Sequence, residues 1–177
     1  MKINSTNIEG LYVLEPLNFQ DKRGYFREVF NISSFNKLGL NYNFVQDNES
    51  MSYKGVLRGL HYQKKHPQAK LVRCSYGAVF DVCVDLRKNS PSYGEWFGII
   101  ISSQLGNQLL IPRGCAPGFL VLSDVAIFNY KCDDLYHEDD QWGLRWDDPD
   151  INIRWPKVDE LIISNKDKLF PYFKELI

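Results

Sequence analysis

His61 is one of three histidines in a chain of 177 residues, and it stands between Arg58 and Gln63 in the run GVLRGLHYQ (55–63). Imidazole is the side chain whose ordinary titration lies nearest neutrality. It can take and return a proton unaided, and a carboxylate neighbour orients it and favours its charged form. Imidazole also ligates metals, but a transition-metal site needs several converging donors. His66 follows five residues on in a Lys/Pro-rich loop, and His137 lies in an acidic turn. The four cysteines (Cys74, Cys83, Cys115, Cys132) are too irregularly spaced for a zinc knuckle and too few for a disulfide scaffold. A metal at His61 would be short of ligands. Two readings stay open on the residues alone: a proton carrier, or a core histidine bonded to backbone.

The elements that must position His61 read as strands. Short runs of β-branched and aromatic residues alternate with Gly, Pro, Asn or Asp, the pattern of an antiparallel sandwich or barrel. The expected strands are 11–15, 25–30, 44–52, 56–63, 69–74, 77–87, 96–102, 108–111, 118–123, 126–131 and 151–155. A helix is expected over 33–40, capped by Ser33 or Ser34 and ending near Gly39, with one or two further turns in 157–177. Side chains alternate across a strand. In GAVFDVCVDLR, Ala78, Phe80, Val82, Val84 and Leu86 share the face expected to pack on a core. Val79, Asp81, Cys83, Asp85 and Arg87 share a face that offers carboxylates. By the same rule Tyr130 shares a face with Phe128 and Ala126.

Length and 44% apolar content suit one domain spanning 1–177. A net charge of −1 gives no basic field for nucleic acid, so an anionic ligand must be held locally. The start, MKINSTNIEG, has no apolar leader, and no run approaches the ~20 apolar residues that span a bilayer. Together with unpaired thiols in apolar segments, this points to a cytoplasmic protein.

The stretch GNQLLIPRGCAPGF places Gly106, Pro112 and Gly114 at the spacing of the second cupin motif, so the expected fold is an all-β, cupin-like jelly roll. The motif's metal-binding histidine would fall at Pro117, which ligates nothing. The first motif's second histidine is Gln63.

The stretches RGYFREVF (23–30), FVQDNES (44–50), GVLRGLHYQ, QAKLVRCSYGAVFDVCVDLRKNSPSYGEW (68–96), LLIPRG (109–114), YKCDDLY (130–136), GLRWDDPDINIRWP (143–156) and ISNKD (163–167) resemble, in order, the dTDP-4-dehydrorhamnose 3,5-epimerase family. The resemblance implies a cofactor-independent epimerase acting on C3 and/or C5 of a nucleotide-diphosphate 4-keto sugar, in deoxysugar synthesis for a surface polysaccharide. Both protons are acidic because they lie alpha to the ketone. By resemblance His61 is the base and Asp167 its partner, Tyr130 the proton donor on the opposite face, and Lys70 the stabiliser of the C4 oxyanion, with Asp81 bonding in the same pocket. Apart from the resemblance, Tyr130 reads equally as a barrel-wall aromatic, and Lys70 as a solvated strand-edge lysine.

Arg58 and Arg23 resemble the diphosphate clamps. Phe26, Glu28, Gln46, Asn48 and Tyr136 match positions that line nucleotide or sugar. The N-terminal segment crosses to a neighbour in this family, which implies a homodimer whose Arg23, Phe26 and Glu28 serve the partner's site.

Pro117 replaces a family histidine, and Glu138 and Gln141 replace a proline and a glutamate. The substrate therefore stays open between dTDP-4-keto-6-deoxyglucose and a GDP-4-keto-heptose, as does inversion of one centre or two. The alternatives are a sugar-nucleotide 3,4-ketoisomerase, which RGLHYQ disfavours, and a non-catalytic ligand-binding cupin.

Overall fold

The computed structural model describes residues 1–176. In chain order its elements are β1 (Lys2–Ser5), β2 (Tyr12–Glu15), β3 (Asn18–Asp21), β4 (Gly24–Arg27), α1 (Ile32–Lys37), β5 (Gln46–Tyr53), β6 (Val56–Gly59), β7 (His61–Gln63) and β8 (Lys70–Tyr76). There follow β9 (Ala78–Asp85), β10 (Trp96–Ser102), β11 (Gln108–Ile111), β12 (Cys115–Val121), β13 (Val125–Cys132), β14 (Gln141–Gly143) and β15 (Ile162–Ile163). A six-stranded sheet in the order β1-β2-β11-β8-β13-β5 and a five-stranded sheet in the order β10-β9-β12-β6-β15 form the jelly-roll sandwich. Two hairpin-sized sheets, β3-β4 and β7-β14, stand apart. No helix among the described residues is long and apolar enough to cross a membrane.

The core lies between the sheets. β8, β11 and β13 send in Val72, Leu109, Ile111 and Phe128, against Val79 and Cys83 of β9, Ile101 of β10, and Phe119 and Val121 of β12. Each such side chain stabilises the fold by roughly 1.5–3 kcal/mol on burial. Both outer faces are covered too. On the five-stranded sheet, Val82, Val84 and Ala116 pack under Leu144, Ile151, Ile153, Trp155 and Phe173. On the six-stranded sheet, Leu14, Leu71 and Leu110 pack under Phe35 of α1 and Leu40.

These coverings correct the reading of β9. The Val79-Asp81-Cys83 face is the interior of the barrel, and the Val82-Val84 face is the outer one, buried by the chain's later segment. The expected strand at 151–155 is irregular backbone within that covering layer. Helix α1 is capped by Asn31, whose Oδ1 accepts from the backbone N–H of Ser33 at 2.9 Å and Ser34 at 3.2 Å, and not by either serine. Short strands β1, β3, β14 and β15 were not expected, and the expected strand 25–30 ends at Arg27. The late turns are single 3-10 turns, Asp167–Leu169 and Phe173–Glu175.

The expected strand 56–63 divides after Gly59. That residue has φ 134°, and a Cβ there would come within 2.5 Å of Gly118 Cα on β12. Only glycine allows this backbone approach. Beyond the break the chain leaves β12 and pairs with β14, where Leu60 and Leu144 exchange backbone hydrogen bonds of 3.3 and 3.0 Å. The change of partner carries His61 to the mouth of the barrel.

Candidate active site

His61 and Asp167 lie 106 residues apart in sequence and meet directly: His61 Nε2 is 2.8 Å from Asp167 Oδ1. Asp167 is 4% exposed, and its Oδ2 accepts from the Gly59 backbone N–H at 3.3 Å. Burial opposes the charge on Asp167. The hydrogen bond and charge of His61, with the Gly59 N–H, outweigh it, and the carboxyl sits below its usual range. His61 is fixed further by the ring of Phe170, edge-on with centroids 5.6 Å apart. Nδ1 of His61 has no hydrogen-bond partner among the described residues.

His61 opens on a cavity of about 180 Å³ shared with Arg58, Lys70, Asp81 and Tyr130. Val72, Pro117, Phe119 and Phe128 form its apolar wall, with Phe119 and Phe128 stacked at 4.2 Å. Lys70, on β8, places its ammonium 5.7 Å from the centre of the Tyr130 ring. Burial pulls the Lys70 titration down, partly opposed by Cys132, Cys83 and Asp81. It pushes the Tyr130 phenol up, with Cys132 adding and Arg58 opposing. Asp81 is 1% exposed; burial raises its carboxyl well above the carboxylate range and only Lys70 opposes this. Arg58 donates through Nε to Ser52 Oγ at 3.0 Å, leaving its two terminal nitrogens for another acceptor.

A second cavity of about 330 Å³ shares His61, Lys70 and Tyr130 with the first and extends along Gln46, Asn48, Tyr136 and Gln141. Gln46 holds this wall together: its Nε2 donates to Asn48 Oδ1 at 3.0 Å, and its Oε1 accepts from the Tyr136 backbone N–H at 2.9 Å. Gln141 Oε1 accepts from the Tyr136 hydroxyl at 3.2 Å and from Lys166 Nζ. Lys166 was not singled out from sequence; its only signal was its place in the run ending at Asp167. Phe119 was also missed, because alternation within β12 gives no reason to prefer it.

Nine of the twelve expected site residues therefore gather at one end of the barrel. Arg23, Phe26 and Glu28 do not join them. Arg23 pairs with Asp21 at 2.6 Å on the β3-β4 hairpin, Phe26 is 69% exposed, and Glu28 accepts from Asn31 at 3.1 Å. The other histidines line neither cavity. His66 and His137 stack on each other with ring centres 4.0 Å apart. Among the described residues, no three His, Cys, Asp or Glu side chains converge as a metal-ligating group.

The family model for dTDP-4-dehydrorhamnose 3,5-epimerase matches residues 5–175. The dTDP-4-dehydrorhamnose 3,5-epimerase of Methanothermobacter thermautotrophicus is 54% identical over 172 residues, covering 96% of this chain and 93% of that protein. The Escherichia coli protein of the same name is 50% identical over 179 residues, covering 100% and 97%. Among solved structures, the Legionella pneumophila dTDP-6-deoxy-D-glucose-3,5-epimerase in complex with dTDP-4-keto-L-rhamnose superposes with a TM-score of 0.95 at 44% identity, covering 98% of this chain and 93% of that one. With the match running nearly end to end, at the level of fold and sequence alike, the chain belongs to the dTDP-4-dehydrorhamnose 3,5-epimerase family of nucleotide-sugar isomerases.

Proposed function

We propose that the chain inverts the two carbons flanking the ketone of dTDP-4-keto-6-deoxyglucose by proton removal and return. The observation that carries this reading is the His61-Asp167 pair opening on one cavity with Lys70 and Tyr130. His61 Nδ1 takes the proton alpha to the ketone, and Asp167 stabilises the imidazolium that results. The electron pair moves onto the C4 oxygen, where the Lys70 ammonium receives the charge as it forms. Tyr130, on a different sheet from His61, returns a proton to the other face of the enolate. His61 and Tyr130 then reset by exchange with water. A phenol is a weak acid in water, but it can protonate an enolate in a pocket that holds it in place.

Arg58 grips the diphosphate, and Gln46, Asn48 and Tyr136 line the path of the nucleotide. The active unit is a homodimer in which Arg23, Phe26 and Glu28 reach the neighbour's cavity. The reading is supported by their place on a segment that exposes Phe19, Tyr25 and Phe26 and lines neither of the two cavities that open on His61. The dTDP-sugar is favoured over a GDP-heptose because the relatives are named for it and the Legionella neighbour holds a dTDP-sugar.

The test is incubation in D2O with dTDP-4-keto-6-deoxyglucose and, separately, a GDP-4-keto-heptose, read by mass and NMR. Deuterium at C3 and C5 of the dTDP-sugar, with both centres inverted, is expected. A carbonyl moved to C3, exchange in the GDP-sugar alone, or no exchange overturns the reading.

A further inference from the structure

Gln108 of β11 is 1% exposed and lies on the outer face of the six-stranded sheet, two residues before Leu110 of the apolar layer there. Beside it in register stand Arg73 of β8, then Asn129 of β13 and Glu49 of β5, a polar row across a covered face. Gln108 donates through Nε2 to the Val29 backbone carbonyl at 2.9 Å. Its Oε1 is buried and has no hydrogen-bond partner among the described residues. Such an oxygen costs the fold at least as much as one neutral hydrogen bond returns. A leucine of similar size, like Leu71 and Leu110 nearby, would serve the packing as well. What the amide adds is direction, because it holds one carbonyl of one segment in place.

That segment is the root of the β3-β4 hairpin. On one side of Val29 the Arg27 guanidinium lies against Gly106, where φ is 67° and a Cβ would collide with it. On the other side Phe30 packs edge-on against Phe35 and Phe44, with ring centres 4.9 and 5.4 Å apart. Arg27, Val29 and Phe30 are thus held by their own barrel. Phe26 and Glu28 alternate with Arg27 and Val29 and remain exposed. Glu28 is steered in turn by Asn31, which also caps α1.

We propose that Gln108 is a positioning residue that serves the neighbouring copy's nucleotide cavity. By holding the Val29 carbonyl it sets the root of the hairpin, so that Phe26 and Glu28 leave the barrel in one direction. Gln108 touches no substrate; it acts through Val29, and its effect is felt in the other chain's cavity. This assignment rests on the homodimer reading and adds to it the side chain that aims the donated residues.

The experiment uses Gln108→Leu and the unbranched Gln108→Met, which fill the space without the donor. In each variant homodimer, KM for dTDP-4-keto-6-deoxyglucose is expected to rise about tenfold, the loss of roughly one hydrogen bond, with kcat within about threefold of wild type. The melting temperature should change little. Each variant is then refolded with a tagged His61→Ala chain, and capture on the tag leaves the mixed dimer as the one species with an intact His61. Its live cavity belongs to the Gln108 variant and receives the hairpin of a chain that keeps Gln108, so a wild-type KM is expected. A KM still raised in the mixed dimer, or unchanged in the variant homodimers, overturns the assignment. So does a large fall in melting temperature in both variants, for the amide would then be holding the fold. The homodimer reading is judged separately, by the mass of wild type in solution. A monomer overturns both readings, whereas a dimer whose mixed form keeps the raised KM overturns the assignment of Gln108 alone.

Discussion

His61 and Tyr130 share a cavity, and the proposed mechanism gives them different tasks, so their loss should look different. Without His61 the first step stops, and His61→Ala should abolish both inversion and deuterium uptake at C3 and C5. Tyr130→Phe keeps the base and the enolate pocket, so protons should still leave and return mostly from the His61 side. Deuterium in recovered substrate, set against epimer yield, should therefore stay high in Tyr130→Phe while inversion falls. Equal loss of both would show that the roles are misassigned. Arg58 is tested by affinity, since its terminal nitrogens have no acceptor among the described residues. Arg58→Ala should raise KM by roughly ten- to a hundredfold, the loss of a charge-assisted pair worth ~1.5–3 kcal/mol, and an unchanged KM would refute the clamp. At this scale the sequence spoke unevenly. His61 drew attention by isolation and Tyr130 by strand alternation, but Asp167 came only through the resemblance, because no local period links residues 106 apart. That the buried Oδ2 of Asp81 has no hydrogen-bond partner among the described residues was invisible, since a missing partner is a property of packing.

Element by element, alternation reported burial faithfully and pairing poorly. Residues 151–155 alternate because Ile151, Ile153 and Trp155 lie against the outer face of β9 and β12, and an extended segment packed on one side alternates with or without a ladder. In β9 both faces are buried, so the rule separated them without saying which faced inward. The break at Gly59 was equally hidden, for it depends on Gly118 of another strand. Gly59→Ala should force β6 off β12 and misplace His61, lowering the melting temperature and activity together; a melt and rate like those of wild type would show that the approach is not required. At the far end of β9, Asp85 accepts from Arg87, Ser90 and Ser92, and these bonds overcome its burial to hold its titration at about 2. Its pKa is depressed on folding. Its contribution, on the order of 2 kcal/mol, is thus complete above the unfolded value near 3.8 and lost as pH falls toward 2. Asp85→Asn should flatten the fall in melting temperature across that window, and an unaltered acid profile would count against the role.

At the scale of the whole molecule, the β3-β4 hairpin lies away from the two cavities that open on His61. If Arg23 serves a neighbour, Arg23→Ala and His61→Ala variants, each inactive, should complement when unfolded and refolded together. Random pairing leaves one intact site in each heterodimer, or about a quarter of the wild-type sites. Recovery near zero would place Arg23 in its own chain's service. The layer that covers the five-stranded sheet has a consequence in time. Asp167 follows every strand of the barrel, and its bond to His61 spans 106 residues, so it is among the longest-range contacts in the chain. Contacts of that separation form late, and a chain leaving the ribosome gains its N-terminal parts first. The barrel can close around a pocket that does not yet hold an oriented base, so the onset of turnover would serve as a clock for the last step of assembly.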